Sequence, residues 1–307
     1  MLDLGRLRAL HAVATHGSVN AAATALGYTP SAVSQQLAKL ERETGTVLLE
    51  RRGRGVVLTD AAEGLALTAR EVLALVEQAE VRLEEQRGRP VGRLTVGSFA
   101  TAARGLLPAA LAGLAAEYPD LDVRLTELDP HLSIELVVRG ELDLAVVHDW
   151  ENTPIGVPDG LARQALGVDV ADVLVHETHP LAARAEVRPE ELASTRWICQ
   201  PPGSICHDWL VRTLRGDGVE PVLAHQVTEY SSQLALAARG LGACLLPRLG
   251  RGPVPPGVVV LPLVPTPTRR LFAVWRRQAT RRPAISVAVA ALRGHWAERD
   301  TAPAPLG

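Results

Sequence analysis

GSVNAAATALGYTPSAVSQQLAKLE, residues 17–41, decides how the N-terminal part of the chain folds. Gly17 stops a preceding helix whose Leu4, Leu7, Leu10, Val13 and Ala14 share one apolar face. Ser18 is placed to cap a second helix, Val19–Leu26, and Gly27-Tyr28-Thr29 makes a tight turn. Thr29 caps a third helix with Pro30 at its first position, where a missing N–H costs nothing, and this helix runs to Thr44 before Gly45. Two extended pieces, 47–50 and 56–58, flank Arg51-Arg52-Gly53-Arg54-Gly55 and predict a hairpin with a basic tip.

Working outward, residues 60–86 read as one long helix. Ala62, Leu65, Ala69, Val72, Val76, Ala79 and Leu83 step by alternating threes and fours, the spacing of a helix that pairs with a second copy of itself. The alternative for the same stripe is packing on its own domain. Gly88-Arg89-Pro90 ends the helix and makes a hinge. Strands and helices then alternate: strand 93–98, helix 102–117, strand 122–128, helix 131–139 and strand 142–148. A second set follows, with strands 171–176, 197–200, 224–228 and 243–247 and helices 206–214 and 232–239. Strand 270–276 and helix 284–298 close the chain, and the Pro/Ala-rich stretch from 299 reads as a disordered tail. The expected class is α/β: two Rossmann-like lobes, with a mostly parallel sheet and a cleft between them.

Composition fits this reading. The 307 residues are 47% hydrophobic and 21% charged, an ordinary globular balance. No apolar run is long enough to cross a membrane, and the N-terminus lacks a secretory pattern, so the cytoplasm is the expected location. Residues 1–58 carry seven bases against four acids, whereas 59–89 carry four bases against seven acids. A basic head beside an acidic segment hints that the head alone meets a polyanion.

The ordered motifs resemble the LysR family of transcriptional regulators. Gly17-Ser18-Val19, Ala22-Ala23, Leu26, Pro30-Ser31-Ala32-Val33-Ser34-Gln35-Gln36-Leu37 and Leu40-Glu41 are similar to its helix-turn-helix signature. Gly45, Leu48, Arg51 and Leu58-Thr59 continue it. Leu106-Leu107-Pro108, Tyr118-Pro119, Gly140 to Ala145, His179-Pro180-Leu181, Gly240 to Ala243 and Leu246-Pro247 resemble the family's effector domain. Leu49 and Ala62 depart from it, standing where Phe and Gly are usual. The resemblance implies a winged helix-turn-helix over residues 1–59 and a linker and dimerisation helix over 60–89. It further implies a periplasmic-binding-protein-like effector domain over 90–307, with one lobe about 91–163 plus 267–298 and the other about 164–266.

On the third helix, Ser31, Ser34, Gln35 and Lys39 lie away from Val33, Leu37 and Leu40, and Thr29 and Pro30 begin it. The hydroxyls suit phosphates or bases, Gln35 suits the bidentate edge of adenine, and Lys39 suits a phosphate or guanine. Arg51, Arg52 and Arg54 suit phosphate or the minor groove, with Arg51 pairing to an acid as its alternative. One head makes few contacts, so a dimer on a dyad-symmetric DNA site is expected, through Leu65, Ala69, Val72, Val76, Ala79 and Leu83. The resemblance adds a tetramer, and RNA polymerase is a further candidate partner.

The small-molecule site is expected between the lobes, where helix starts offer free N–H groups to an anion. Ser98 and Thr101 precede one such start, Gly203-Ser204 a second and Tyr230 a third, with His148 beyond a strand end. Plain helix caps are the alternative for the hydroxyls. Cys199 and Cys206 resemble a redox pair of the family's peroxide-sensing branch, but buried inert thiols are the favoured reading. His176 and His179 lack further ligands, so neither a metal nor another cofactor is expected. An enzyme or a solute-binding protein is the rival class. No GxSxG, phosphate loop or dinucleotide fingerprint supports an enzyme.

Overall fold

A computed structural model describes residues 2–52 and 55–301, and the side chains of 51–56 and of Glu77, Glu80, Arg87, Asp300 and Thr301 lie outside that description. Arg54, and the part of the expected tail from 302 to 307, therefore fall outside the described residues. The chain divides into two compact units, residues 1–87 and 88–307.

In the first unit, α1 (Leu4–His16), α2 (Val19–Leu26) and α3 (Pro30–Thr44) carry the expected caps. The Ser18 hydroxyl accepts from Ala21 N at 3.1 Å and the Thr29 hydroxyl from Ala32 N at 3.2 Å. Gly17, Gly27 and Gly45 each adopt the left-handed conformation that ends a helix sharply. β1 (Leu49–Arg52) and β2 (Gly55–Leu58) pair antiparallel as the wing. Glu41 ties the wing to α3, its carboxylate accepting from Leu48 N at 2.8 Å and Leu49 N at 3.1 Å.

α4 (Asp60–Arg87) starts where the Thr59 hydroxyl accepts from Ala62 N. Its first half lies against α1, and Ala62, Ala66 and Ala69 are buried in the same core as Leu7, Leu10, Val33 and Leu37. Alanine side chains are short enough to let the two helix backbones approach closely. The stripe read from the sequence thus divides. Leu65, Ala69 and Val72 pack in the head's own core, while Val76 is half-buried and Ala79 and Leu83 are exposed.

The second unit begins with β3 (Gly92–Ser98), α5 (Ala100–Gly105), α6 (Leu107–Glu117), β4 (Leu121–Glu127), α7 (Pro130–Arg139) and β5 (Leu144–Trp150). One helix was expected over 102–117. Pro108, which lacks the N–H a continuous helix needs, divides it. β6 (Leu161–His176) follows, then β7 (Arg196–Cys199), α8 (Ile205–Gly216), β8 (Val222–Gln226), α9 (Tyr230–Ala237) and β9 (Cys244–Pro247). β10 (Val258–Pro262), β11 (Thr268–Arg276) and α10 (Pro283–Thr301) complete the chain.

β3 pairs parallel with both β4 and β5, and β11 runs antiparallel between β5 and β6. β6 passes from one lobe to the other. Up to Val170 it pairs with β11, and from Ala171 with β9, from Asp172 also with β10. The crossing therefore falls at 170/171, later than the expected 163/164, because the half-exposed first part of β6 is sheet as well. In the second lobe β7 pairs parallel with β8, and Ile198 and Ala243 join β7 to the start of β9 by backbone bonds. Two glycines permit close approaches here. A Cβ on Gly167 would overlap the Trp296 indole of α10, and one on Gly250 would strike the Thr101 carbonyl of α5.

Candidate functional site

Six of the DNA-binding candidates lie at the start of α3 or along its exposed face. The amphipathic pattern of α3 buries Val33, Leu37 and Leu40, leaving Thr29, Pro30, Ser31, Ser34, Gln35 and Lys39 all exposed. Thr29 uses an oxygen lone pair as the helix cap, a bond that does not engage its O–H. Arg51 and Arg52 lie on the outgoing wing strand.

In the second unit a cleft of about 670 Å³ opens between the lobes. The β3–α5 corner, the start of α7 and His148 of β5 line one side. Gln200 to Cys206 and Thr228 to Ser231 line the other, so the first turns of α8 and α9 face the same space. Of the sequence candidates, Thr101, His148, Gly203, Ser204 and Tyr230 line this cleft together. Ser98 does not line it. Its strand ends buried, and its hydroxyl donates to the Phe99 carbonyl at 3.3 Å. Thr101 lies inside the first turn of α5 rather than before it, because the helix begins at Ala100. Ser204 caps α8, accepting from His207 N at 3.2 Å, and Gly203 takes the positive φ that the turn before it requires.

Behind the lining residues Thr101 and Phe99 lies a buried residue the sequence reading missed. Arg269 stands between two cross-strand neighbours, Trp150 on β5 and Asp169 on β6. Its side chain is 0% exposed. Nε and Nη2 donate to Asp169 Oδ2 at 3.0 and 2.7 Å, and Nη2 also donates to the Thr101 hydroxyl at 2.7 Å. Asp169 in turn accepts from Leu249 N at 3.0 Å. The guanidinium carbon lies 5.1 Å from the Phe99 ring centre and 5.6 Å from that of Trp150. His148 meets Phe99 edge-on at 4.4 Å. Three buried polar atoms in this cluster have no hydrogen-bond partner: Arg269 Nη1, His148 Nδ1 and Trp150 Nε1. Such atoms are costly to bury unsatisfied.

Burial, with the Arg269 guanidinium and His131 nearby, pushes the His148 imidazole well below its usual range, so it is neutral. Burial raises the Tyr230 hydroxyl well above its usual value, and that hydroxyl lies 3.3 Å from Cys206 Sγ. Burial likewise raises Cys206, against the pull of Arg269, and pushes Cys199 up to about 11. Both thiols are therefore protonated and weakly nucleophilic. Among the described residues no group of three or more potential ligands stands ready for a metal. No helix there is long and apolar enough to cross a membrane. Periodicity could not signal Arg269: beside Arg270 it reads as one of two surface arginines, and only the register with Asp169 turns it inward.

A winged helix-turn-helix joined to a two-lobed α/β domain with a polar cleft defines a DNA-binding regulator that responds to a ligand. The model of the "LysR substrate binding domain" matches residues 87–297, and that of the "bacterial regulatory helix-turn-helix protein, lysR family" matches residues 4–63. The chain belongs to the LysR family and is a LysR-type transcriptional regulator with a helix-turn-helix and an effector-binding domain. The small neutral protease regulatory protein of Streptomyces coelicolor is 33% identical over 242 residues, 76% of this chain and 74% of that one. The transcriptional regulator XapR of Escherichia coli K12 is 29% identical over 290 residues, 94% and 97% of the two chains. Full-length OxyR from Pseudomonas aeruginosa shares the fold with a TM-score of 0.69 at 24% identity, over 95% of each chain.

Proposed function

We propose that this chain is a cytoplasmic, dimeric regulator that reads a dyad-symmetric promoter site and changes its activity when a small carboxylate-bearing metabolite enters the inter-lobe cleft. The observation carrying the effector part is the polar lining of that cleft, a cavity of metabolite size in which His148 Nδ1 lacks a partner and Thr101 is backed by the buried Arg269. A metabolite is favoured over an oxidant because burial keeps Cys199 and Cys206 as thiols. For DNA, Gln35 reads bases and the wing arginines hold phosphates, with two heads supplied by pairing through the outer part of α4. RNA polymerase is the expected downstream partner.

A thermal-shift screen of metabolites, followed by promoter-DNA binding with and without each hit, tests the reading. A hit that stabilises the effector domain and alters DNA binding supports it. Metabolite turnover without DNA binding would replace it with an enzyme. In the same assay Gln35→Ala relaxes base preference by about 1–3 kcal/mol of discrimination, leaving non-specific binding in place.

A further inference from the structure

The charges around the cleft are not those of a simple anion site. Arg269 is the buried cation behind the lining, but Asp169 already neutralises it, leaving the Nη1 amino group without a partner rather than a net positive charge. Nearer solvent, three carboxylates line the cleft, Glu127, Asp129 and Glu229, against the single guanidinium of Arg104. A ligand bearing only negative charge would meet repulsion at the mouth. Asp129 is already used, capping α7 by accepting from His131 N at 2.9 Å. Glu127 and Glu229 are exposed and come from opposite lobes, one at the end of β4 and the other just before α9.

We infer that the effector is an amino-carboxylate, a zwitterion held carboxylate-down and amine-up. This rests on the proposed effector reading of the same cleft and names its ligand class. The carboxylate accepts from the Thr101 O–H, which lines the cleft and whose oxygen already accepts from Arg269, with the unpaired Arg269 Nη1 just behind the lining. Neutral His148 contributes Nδ1 to the same polar floor. The ammonium donates to Glu127 and Glu229. A cation shared by acids from both lobes offsets their like charge and favours the lobes drawing together, so binding and closure are coupled.

Calorimetry and thermal shift on the full chain test this with the standard amino acids, their N-acetyl derivatives and the matching amine-free carboxylates. The expected result is that at least one free amino acid binds, with its N-acetyl and amine-free forms roughly ten-fold or more weaker. Removing Arg269 would leave Asp169 buried and unpaired, so the rim carries the mutational test. Glu127→Gln with Glu229→Gln, both on exposed side chains, weakens the free amino acid roughly ten-fold and leaves the N-acetyl form unchanged. Amine-free carboxylates binding as well as amino acids would overturn the zwitterion while leaving the effector reading intact. No binding from any of the three series also overturns it. A hit in the wider metabolite screen would then keep the effector reading, and no hit there would sink both.

Discussion

Arg269 shows how much one buried charge can organise. It holds Asp169, Thr101, Phe99 and Trp150 around the point where β11 begins beside the crossing of β6 between lobes. Deleting one partner of such a pair leaves an uncompensated charge in the interior. Asp169→Ala should therefore cost about 3–5 kcal/mol, seen by denaturant unfolding as a loss confined to the effector-domain transition. A change no larger than that of a surface substitution would show the pair to be dispensable. His148 gives the domain a pH dependence. Its folded pKa lies below the unfolded value near 6.5, so the unfolded chain binds the proton more readily. The stability it lends is complete above about 6.5 and erodes as pH falls through that value towards the folded one. Thermal unfolding across this range should show a steeper acid-side decline in the wild type than in His148→Gln.

At the scale of the element, local chemistry decided what could be read in advance. α1 to α3 announce themselves through Ser18, Thr29, Pro30 and three helix-ending glycines, because caps and left-handed turns are written in single residues. The first half of β6 was missed for the opposite reason. Of residues 161–170 only Leu161, Leu166 and Asp169 are buried, and the polar Arg163, Gln164 and Asp169 on so open a strand look like loop. The cleft-lining Thr101, His148, Gly203, Ser204 and Tyr230 were legible from their places beside helix starts and a strand end. Arg269, Glu127 and Glu229 were not, since their roles depend on which distant segments the fold brings alongside. Gly167 belongs to the same hidden category. It makes room for Trp296, so Gly167→Ala should displace α10 from β6 and destabilise the effector domain by about 1–3 kcal/mol, measurable by thermal unfolding.

For the whole molecule, the division of α4 separates two roles. Its inner half is spent on the head's own core, leaving an outer half with Leu75 63% and Leu83 57% exposed. Ala79→Asp with Leu83→Asp should leave both units folded and yield a monomer in sedimentation, with promoter affinity lost; a dimeric double variant would move the interface elsewhere. β11 sets an order of events at birth. It lies between β5 and β6, yet it is the last strand among the described residues, so the sheet stays open until residues 268–276 have left the ribosome. The head forms a unit of its own within residues 1–87, whose synthesis is finished long before. A message cut short upstream of β11 would thus yield a competent reader of DNA carrying an unzipped receiver, its naked β5 edge inviting aggregation.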